Sequence, residues 1–213
     1  MKPISITKRN IMFSEPMNEY DLNLGLIIGD CRNYIIDTGL GSGSVWPILE
    51  YIGSDGKPIV VINTHSCWDH HWGNWVFADS LIIAHAHCRD ALAQHWDAQV
   101  AEYGEYIAGE LSKCLPNLTF SDRLDFRDDG IAIFHTPGHT PCSISVYDTL
   151  ERVLYVGDNI GDTADKPVPE IFTDIDTYKR TIDMYKQIDF AHLISGHNKP
   201  QSKRILDEIG GAL

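Results

Sequence analysis

Thr64-His65-Ser66-Cys67-Trp68-Asp69-His70 follows directly on the apolar run Pro58-Ile59-Val60-Val61-Ile62. The run has the length and β-branched content of a buried strand, so a strand here gives way to a loop rich in polar side chains. Within six positions, His65, Cys67, Asp69 and His70 offer two imidazoles, a thiol and a carboxylate. These are the donor types that divalent transition metals take. A lone histidine is usually a core or surface residue, but four donors in so short a span point to a metal site.

The same grammar recurs downstream. Gly130-Ile131-Ala132-Ile133-Phe134 leads into His135-Thr136-Pro137-Gly138-His139-Thr140, Val153-Leu154-Tyr155-Val156 into Gly157-Asp158, and His192-Leu193-Ile194 into Ser195-Gly196-His197. Each short apolar strand ends in a metal-ligand type, mostly beside a glycine that lets the backbone turn sharply. Strand ends meeting at one edge would gather His65, Cys67, Asp69, His70, His139, Asp158 and His197 around a common point.

At these residues the chain resembles the metallo-β-lactamase-fold superfamily, which includes glyoxalase II and many small hydrolases. The pattern H-x-H-x-D-H, a later G-H-T histidine, an aspartate after strand and glycine, and a late G-H is matched by His65, Asp69, His70, His139, Asp158 and His197, in order. Ile36-Asp37-Thr38-Gly39 resembles the family's early strand-end motif, and Trp72-Gly73-Asn74 the segment after the first motif. The likeness covers about residues 20–200. It departs from the pattern at Cys67, where the family has a second histidine. The resemblance implies an α/β fold, a four-layer αββα sandwich, with two metal ions at the shared edge of its sheets. Carried over by position, it puts His65, residue 67 and His139 around a first ion and Asp69, His70 and His197 around a second. Asp158 bridges the two, and Asp37 fixes a ligand histidine from behind.

The implied cofactor is zinc, two ions, with iron or a mixed-metal centre as the alternative. Water bound to such an ion loses its proton near neutral pH, and Asp69 could orient the resulting nucleophile. Cys67 has two readings: a thiolate in place of the imidazole, with a longer bond (~2.3 Å against ~2.0 Å) recovering part of the reach, or a degraded first site. Thiolate ligation would lower the positive charge of the centre and make it a weaker Lewis acid. Trp68, Trp72 and Trp96 are candidates for an aromatic wall over an apolar substrate part, with residues 86–114 as a partial lid. Core packing is the competing reading for each.

The 213 residues fit one domain over 1–213, with 43% hydrophobic and 22% charged residues as in ordinary globular proteins. The net charge of -13 argues against nucleic acid or anionic lipid as a partner and leaves a small-molecule substrate. Met1 to Phe13 lacks the apolar core of a signal peptide and no apolar stretch reaches spanning length, so a cytoplasmic location is expected. The sequence is also compatible with a homo-oligomer. Five cysteines at irregular spacing read as reduced thiols, with Cys31, Cys88 and Cys114 as small buried hydrophobes. His85 and His87 are expected at the surface.

Three functions compete. The first is a metal-dependent hydrolase using metal-bound hydroxide on a small ester, thioester, lactone or amide. The second is an iron-dependent oxidoreductase resembling the persulfide dioxygenases, through His65, His139 and Asp158. The third is a binding protein without turnover. A glyoxalase II role is disfavoured, because little chain follows His197.

The sequence pattern further predicts strands over 119–126 and 152–156 and helices over Val45–Ile52, Thr177–Ile188 and Ser202–Ile209. A helix face recurs from Leu92 to Leu111, weakened at Gly104 and Gly109.

Overall fold

The computed structural model describes residues 1–213. The first half of the chain builds β1 (Lys2–Ser5), β2 (Asn10–Met17), β3 (Tyr20–Ile28), β4 (Asn33–Ile36), α1 (Ser42–Ile52), β5 (Ile59–Ile62), β6 (Leu81–His85), α2 (Ala86–Tyr103) and β7 (Leu118–Phe120). These strands form one seven-stranded sheet in sequence order, antiparallel from β1 to β4 and parallel from β4 to β7.

The second half adds β8 (Arg123–Phe126), β9 (Ile131–His135), β10 (Ile144–Asp148), β11 (Val153–Tyr155), α3 (Ile175–Gln187), β12 (His192–Ile194) and α4 (Ile205–Ala212). Its five-stranded sheet runs β12-β11-β10-β9-β8. The only parallel pair in it is β11 with β12.

The sheets pack face to face through Ile27, Tyr34, Ile36, Val60, Ile62 and Ile83 of one and Ile133, Ile144, Val146, Val153, Tyr155 and Ile194 of the other. On the outer face of the first sheet, Val45 and Ile48 of α1 cover Leu24, Leu26, Ile35 and Val61. On the second, Tyr178, Ile182 and Tyr185 of α3 and Ile205, Leu206 and Ile209 of α4 cover Leu154 and Leu193. Helix, sheet, sheet, helix: the fold is the four-layer αββα sandwich. Burying each of these aliphatic side chains contributes about 1.5–3 kcal/mol. Local signals set the ends: Asp174 caps α3 by accepting from the Thr177 N–H at 2.8 Å, and Gly53 stops α1 at φ +63. No helix is long and apolar enough to cross a membrane.

Three expectations need correction. The strand over 119–126 is two strands in different sheets, β7 and β8. Apolar Leu118, Phe120, Leu124 and Phe126 share one phase, but the polar Asp122 interrupts it, and Ser121-Asp122 carry the chain across the sandwich. The helical face beyond Tyr103 ends in a short 3-10 turn, Gly104–Tyr106, after which Gly109 takes φ +82. Cys31 is exposed, since it sits in the turn between β3 and β4, while Cys88 is buried and Cys114 half-buried.

Candidate metal centre

Strands β4, β5 and β6 are parallel, as are β11 and β12, and β9 shares the direction of β11 because each pairs antiparallel with β10. Their carboxyl ends lie at one rim of the sandwich. The loop after β5 brings His65, Cys67, Asp69 and His70, the β9–β10 loop His139, and the ends of β11 and β12 Asp158 and His197. All seven converge there. Three overlapping groups, His65-Cys67-His139, His65-His70-Asp158 and Asp69-His70-His197, each keep their donor atoms within 4.8 Å of one another.

The spacing is that of a coordination shell. Asp158 Oδ2 is 3.4 Å from His65 Nε2, 3.3 Å from His70 Nε2, 3.1 Å from His197 Nε2 and 3.9 Å from His139 Nε2. Asp69 Oδ2 is 3.3 Å from His197 Nε2, and Cys67 Sγ is 3.4 Å from His139 Nε2. A tetrahedral ion with bonds of ~2.0–2.1 Å sets neighbouring donors about 3.3–3.4 Å apart.

The backs of the rings explain why every Nε2 faces inward. His139 Nδ1 donates to the Glu170 carbonyl at 2.7 Å and His197 Nδ1 to the Asp21 carbonyl at 3.0 Å. His70 Nδ1 donates to Asp37 Oδ2 at 2.9 Å. Thr64 Oγ1 donates to Asp37 Oδ2 at 2.7 Å and is left to accept from His65 Nδ1 at 2.9 Å. With Nδ1 protonated, each Nε2 keeps its lone pair for a metal. His65 Nε2, His70 Nε2 and Asp158 Oδ1 are buried yet have no well-formed hydrogen bond. Buried polar atoms are seldom left so, and divalent cations at this rim would satisfy all three.

Asp37 takes φ +61, an uncommon backbone for a non-glycine residue, held by the Thr64 N–H donated to its Oδ1 at 2.7 Å. Gly196 has to be glycine: a Cβ there would overlap Asp158 Oδ1 and come within 2.6 Å of His70 Cε1. Without a metal, the donors balance their charges among themselves, and a proton on Nε2 of His70 and of His197 stands where a cation would. Burial alone would lower His70 and His197, but the surrounding carboxylates, Asp158 foremost, hold both well above the usual histidine range. Burial would raise Asp158, and the histidines outweigh it and keep the carboxylate well below its usual range. Desolvation, reinforced by Asp69 and Asp158, pushes the Cys67 thiol up, so its proton leaves when a cation takes its place.

A cleft of 330 Å³ opens over this centre. Trp68 lines it, stacked on Tyr103 with ring centroids 4.7 Å apart and planes 5° from parallel. Trp72 and Trp96 do not line it. Trp72 is fully buried beneath Trp68, and Trp96 is turned inward against His71. Both serve packing, because the chain between them folds into a 3-10 turn, β6 and the start of α2 rather than one continuous wall. Helix α2 still reaches the cleft through Gln99 and Tyr103. Gln99 donates to the Ser66 carbonyl at 2.8 Å and pairs with His71 Nε2 at 3.2 Å. Burial lowers His71 to about 3, so it stays neutral and holds Gln99 in place.

Tyr20, Asp162, Pro169, Glu170 and Phe172 complete the lining and carry no periodic or motif signal in the sequence. His85, expected at the surface, is buried and stacked on His135 at 4.0 Å.

A family model described as the metallo-beta-lactamase superfamily matches residues 20–197. The chain belongs to the metallo-beta-lactamase superfamily. Two relatives, each described as acyl-coenzyme A thioesterase MBLAC2, from Bos taurus and Homo sapiens, are 25% identical over 206 residues. Both alignments cover 82% of this chain and 72% of the relative. Among solved structures, the DIM-1 metallo-beta-lactamase superposes with a TM-score of 0.79 at 16% identity, covering 99% of this chain and 95% of that one. The archaeal superfamily protein ST1585 from Sulfolobus tokodaii gives 0.69 at 20% identity, covering 90% and 79%. These two share the superfamily's fold.

Proposed function

We propose that this superfamily member is a metal-dependent hydrolase of a small acyl substrate, an ester or thioester, with two zinc ions as its cofactor. The observation that carries the reading is the set of seven inward-facing donors whose four imidazoles are each fixed from behind. The relatedness to acyl-coenzyme A thioesterases supports acyl transfer to water among the superfamily's reactions. His65, Cys67 and His139 would hold one ion, Asp69, His70 and His197 the other, with Asp158 between them. Zinc there supplies a Lewis acid and lowers the pKa of bound water toward neutrality.

The chain's own residues do the rest. Asp69, at the cleft floor, is held ionised by His70 and His197 against the effect of burial, and orients the attacking water through its carboxylate oxygens. Trp68 and Tyr103 offer a flat apolar face for the substrate and exclude bulk water from that side. Thr64 and Asp37 keep His65 and His70 from rotating as charge develops. Metal quantitation on anaerobically purified protein, followed by an ester, thioester and lactone panel, tests the reading. Two zinc ions and chelator-sensitive ester or thioester cleavage are expected. One iron with oxygen uptake, or hydrolysis surviving exhaustive chelation, overturns it.

A further inference from the structure

The cleft over the metal centre is one-sided in charge. None of its 13 lining residues is lysine or arginine, whereas Asp162 and Glu170 stand on its wall beside the aromatic residues. Neither belongs to a donor group, so their charges are not taken up by a metal. The ligands Cys67, Asp69 and Asp158 already offset most of the charge that two divalent ions would bring. The remaining field in the cleft is therefore negative.

The same cleft is lined by the aromatic rings of Tyr20, Trp68, Tyr103 and Phe172. Trp68 stacks on Tyr103 and tilts against Tyr106 at 5.2 Å. Tyr20 stands edge-on to His197 at 4.8 Å and Phe172 edge-on to His139 at 5.4 Å, so aromatic rings flank the ligands on both sides. Phe172 is 56% exposed, so its ring is open to a ligand entering the cleft. Ring faces attract cations, and carboxylates beside them strengthen the attraction while repelling anions.

We propose, building on the hydrolase reading, that this cleft selects acyl substrates carrying an amine or quaternary ammonium close to the scissile bond. The cation is received by Trp68, Tyr103 and Phe172 between the carboxylates of Asp162 and Glu170. Substrates with a carboxylate in that position are rejected. The same hydrolysis of an acyl bond applies: water adds to the carbonyl carbon, the bond to the leaving oxygen or sulfur breaks, and the proton released by water ends on the leaving group or in solution.

Three 4-nitrophenyl esters of matched length test this: the 3-trimethylammoniopropanoate, its uncharged isostere 4,4-dimethylpentanoate, and the hemisuccinate, each normalised to its rate with free hydroxide. The zinc-loaded protein should favour the cationic ester over the anionic one by about 10–100-fold in kcat/KM. Glu170→Gln and Asp162→Asn should each shrink that ratio, the double variant most, and added salt should shrink it in the wild type. A ratio of one or below, or a ratio that neither variant changes, overturns the proposal. Calorimetric titration with the unreactive trimethylammoniopropanamide reads the cleft without turnover. Binding weakened by Glu170→Gln, with no ester cleaved, would retire the hydrolase reading and leave the cation preference standing. Absence of both binding and preference would remove the preference itself.

Discussion

Replacing Asp37 by asparagine separates the support of the metal site from the backbone that carries it. Asp37 sits at φ +61, which asparagine tolerates better than most residues, so the backbone contribution nearly cancels. What changes is the acceptor set. The carboxylate accepts three buried hydrogen bonds, from the Thr64 N–H at 2.7 Å, the Thr64 hydroxyl at 2.7 Å and His70 Nδ1 at 2.9 Å. An amide has one acceptor atom. If its oxygen faces His70, its NH2 opposes the Thr64 N–H. If it is flipped, its NH2 opposes His70 Nδ1 and drives that ring's proton to Nε2, which disables the ligand. One buried donor loses its partner at about 1–3 kcal/mol, and the surviving bonds lose their charge assistance. A loss of about 2–4 kcal/mol in the metal-free protein follows, or roughly 5–15 °C in Tm for a chain of this size. Zinc affinity should fall 10–100-fold, the usual effect of losing a histidine's supporting carboxylate. Thermal melts of the metal-free protein and competition against a chromophoric chelator measure the two effects. An Asp37→Asn protein with wild-type Tm and zinc affinity within twofold would refute the supporting role.

Asp158→Ala should abolish ester cleavage by more than 100-fold and lower bound metal, since its Oδ2 lies within 3.4 Å of three imidazoles; metal content and kcat/KM on one ester check this. Cys67→His should raise hydrolysis of a generic ester by restoring an imidazole and removing a negative charge, with metal content measured alongside. Unchanged metal, activity and peroxide sensitivity in both Cys67→His and Cys67→Ala would show that the thiol is no ligand. Far from the centre, burial would raise Asp129, but the Cys31 N–H and the Tyr34 hydroxyl, both donating at 2.7 Å, outweigh it and hold the carboxyl below its usual range. Its stabilising contribution is thus complete above the unfolded pKa of about 3.9 and is lost as pH falls through the lower folded value. Asp129→Asn should therefore lower stability at pH 7 and flatten the acid limb of Tm against pH.

The strands that end at the metal-donor rim were legible because each is a short apolar run followed within a few residues by glycine or a candidate ligand. Ile59–Ile62 and Val153–Tyr155 are examples. The edge strand β1 and its neighbour β2 gave little signal, since Pro3, Asn10 and Pro16 interrupt the pattern and pairing of β2 with β3 supplies the order instead. The convergence of the seven donors could be anticipated from their shared position after strands. The cleft could not. Trp68 and Trp72 are four residues apart in the chain, yet one faces the ligands and the other the core, a difference set by the 3-10 turn at Trp68–His70. Asp162, Glu170 and Phe172 sit in an irregular segment where no periodicity marks the side facing inward.

The crossing at Ser121-Asp122 divides the chain into two halves, and the metal donors are divided with it. His65, Cys67, Asp69 and His70 come before it, His139, Asp158 and His197 after it. At the opposite rim, Arg9 of the first half grips Asp148 of the second with two bonds of 2.8 Å. On the proposed reading, a metal ion would be a clasp between two plates that are tied at the other end by an arginine. Each fastening lowers the entropy left for the other to remove. Loading zinc at 1,000 times its Kd stabilises the closed sandwich by about 4 kcal/mol. Loosening the distant Arg9 tie should therefore weaken metal binding without touching a ligand, which zinc titration of an Arg9→Ala variant would read.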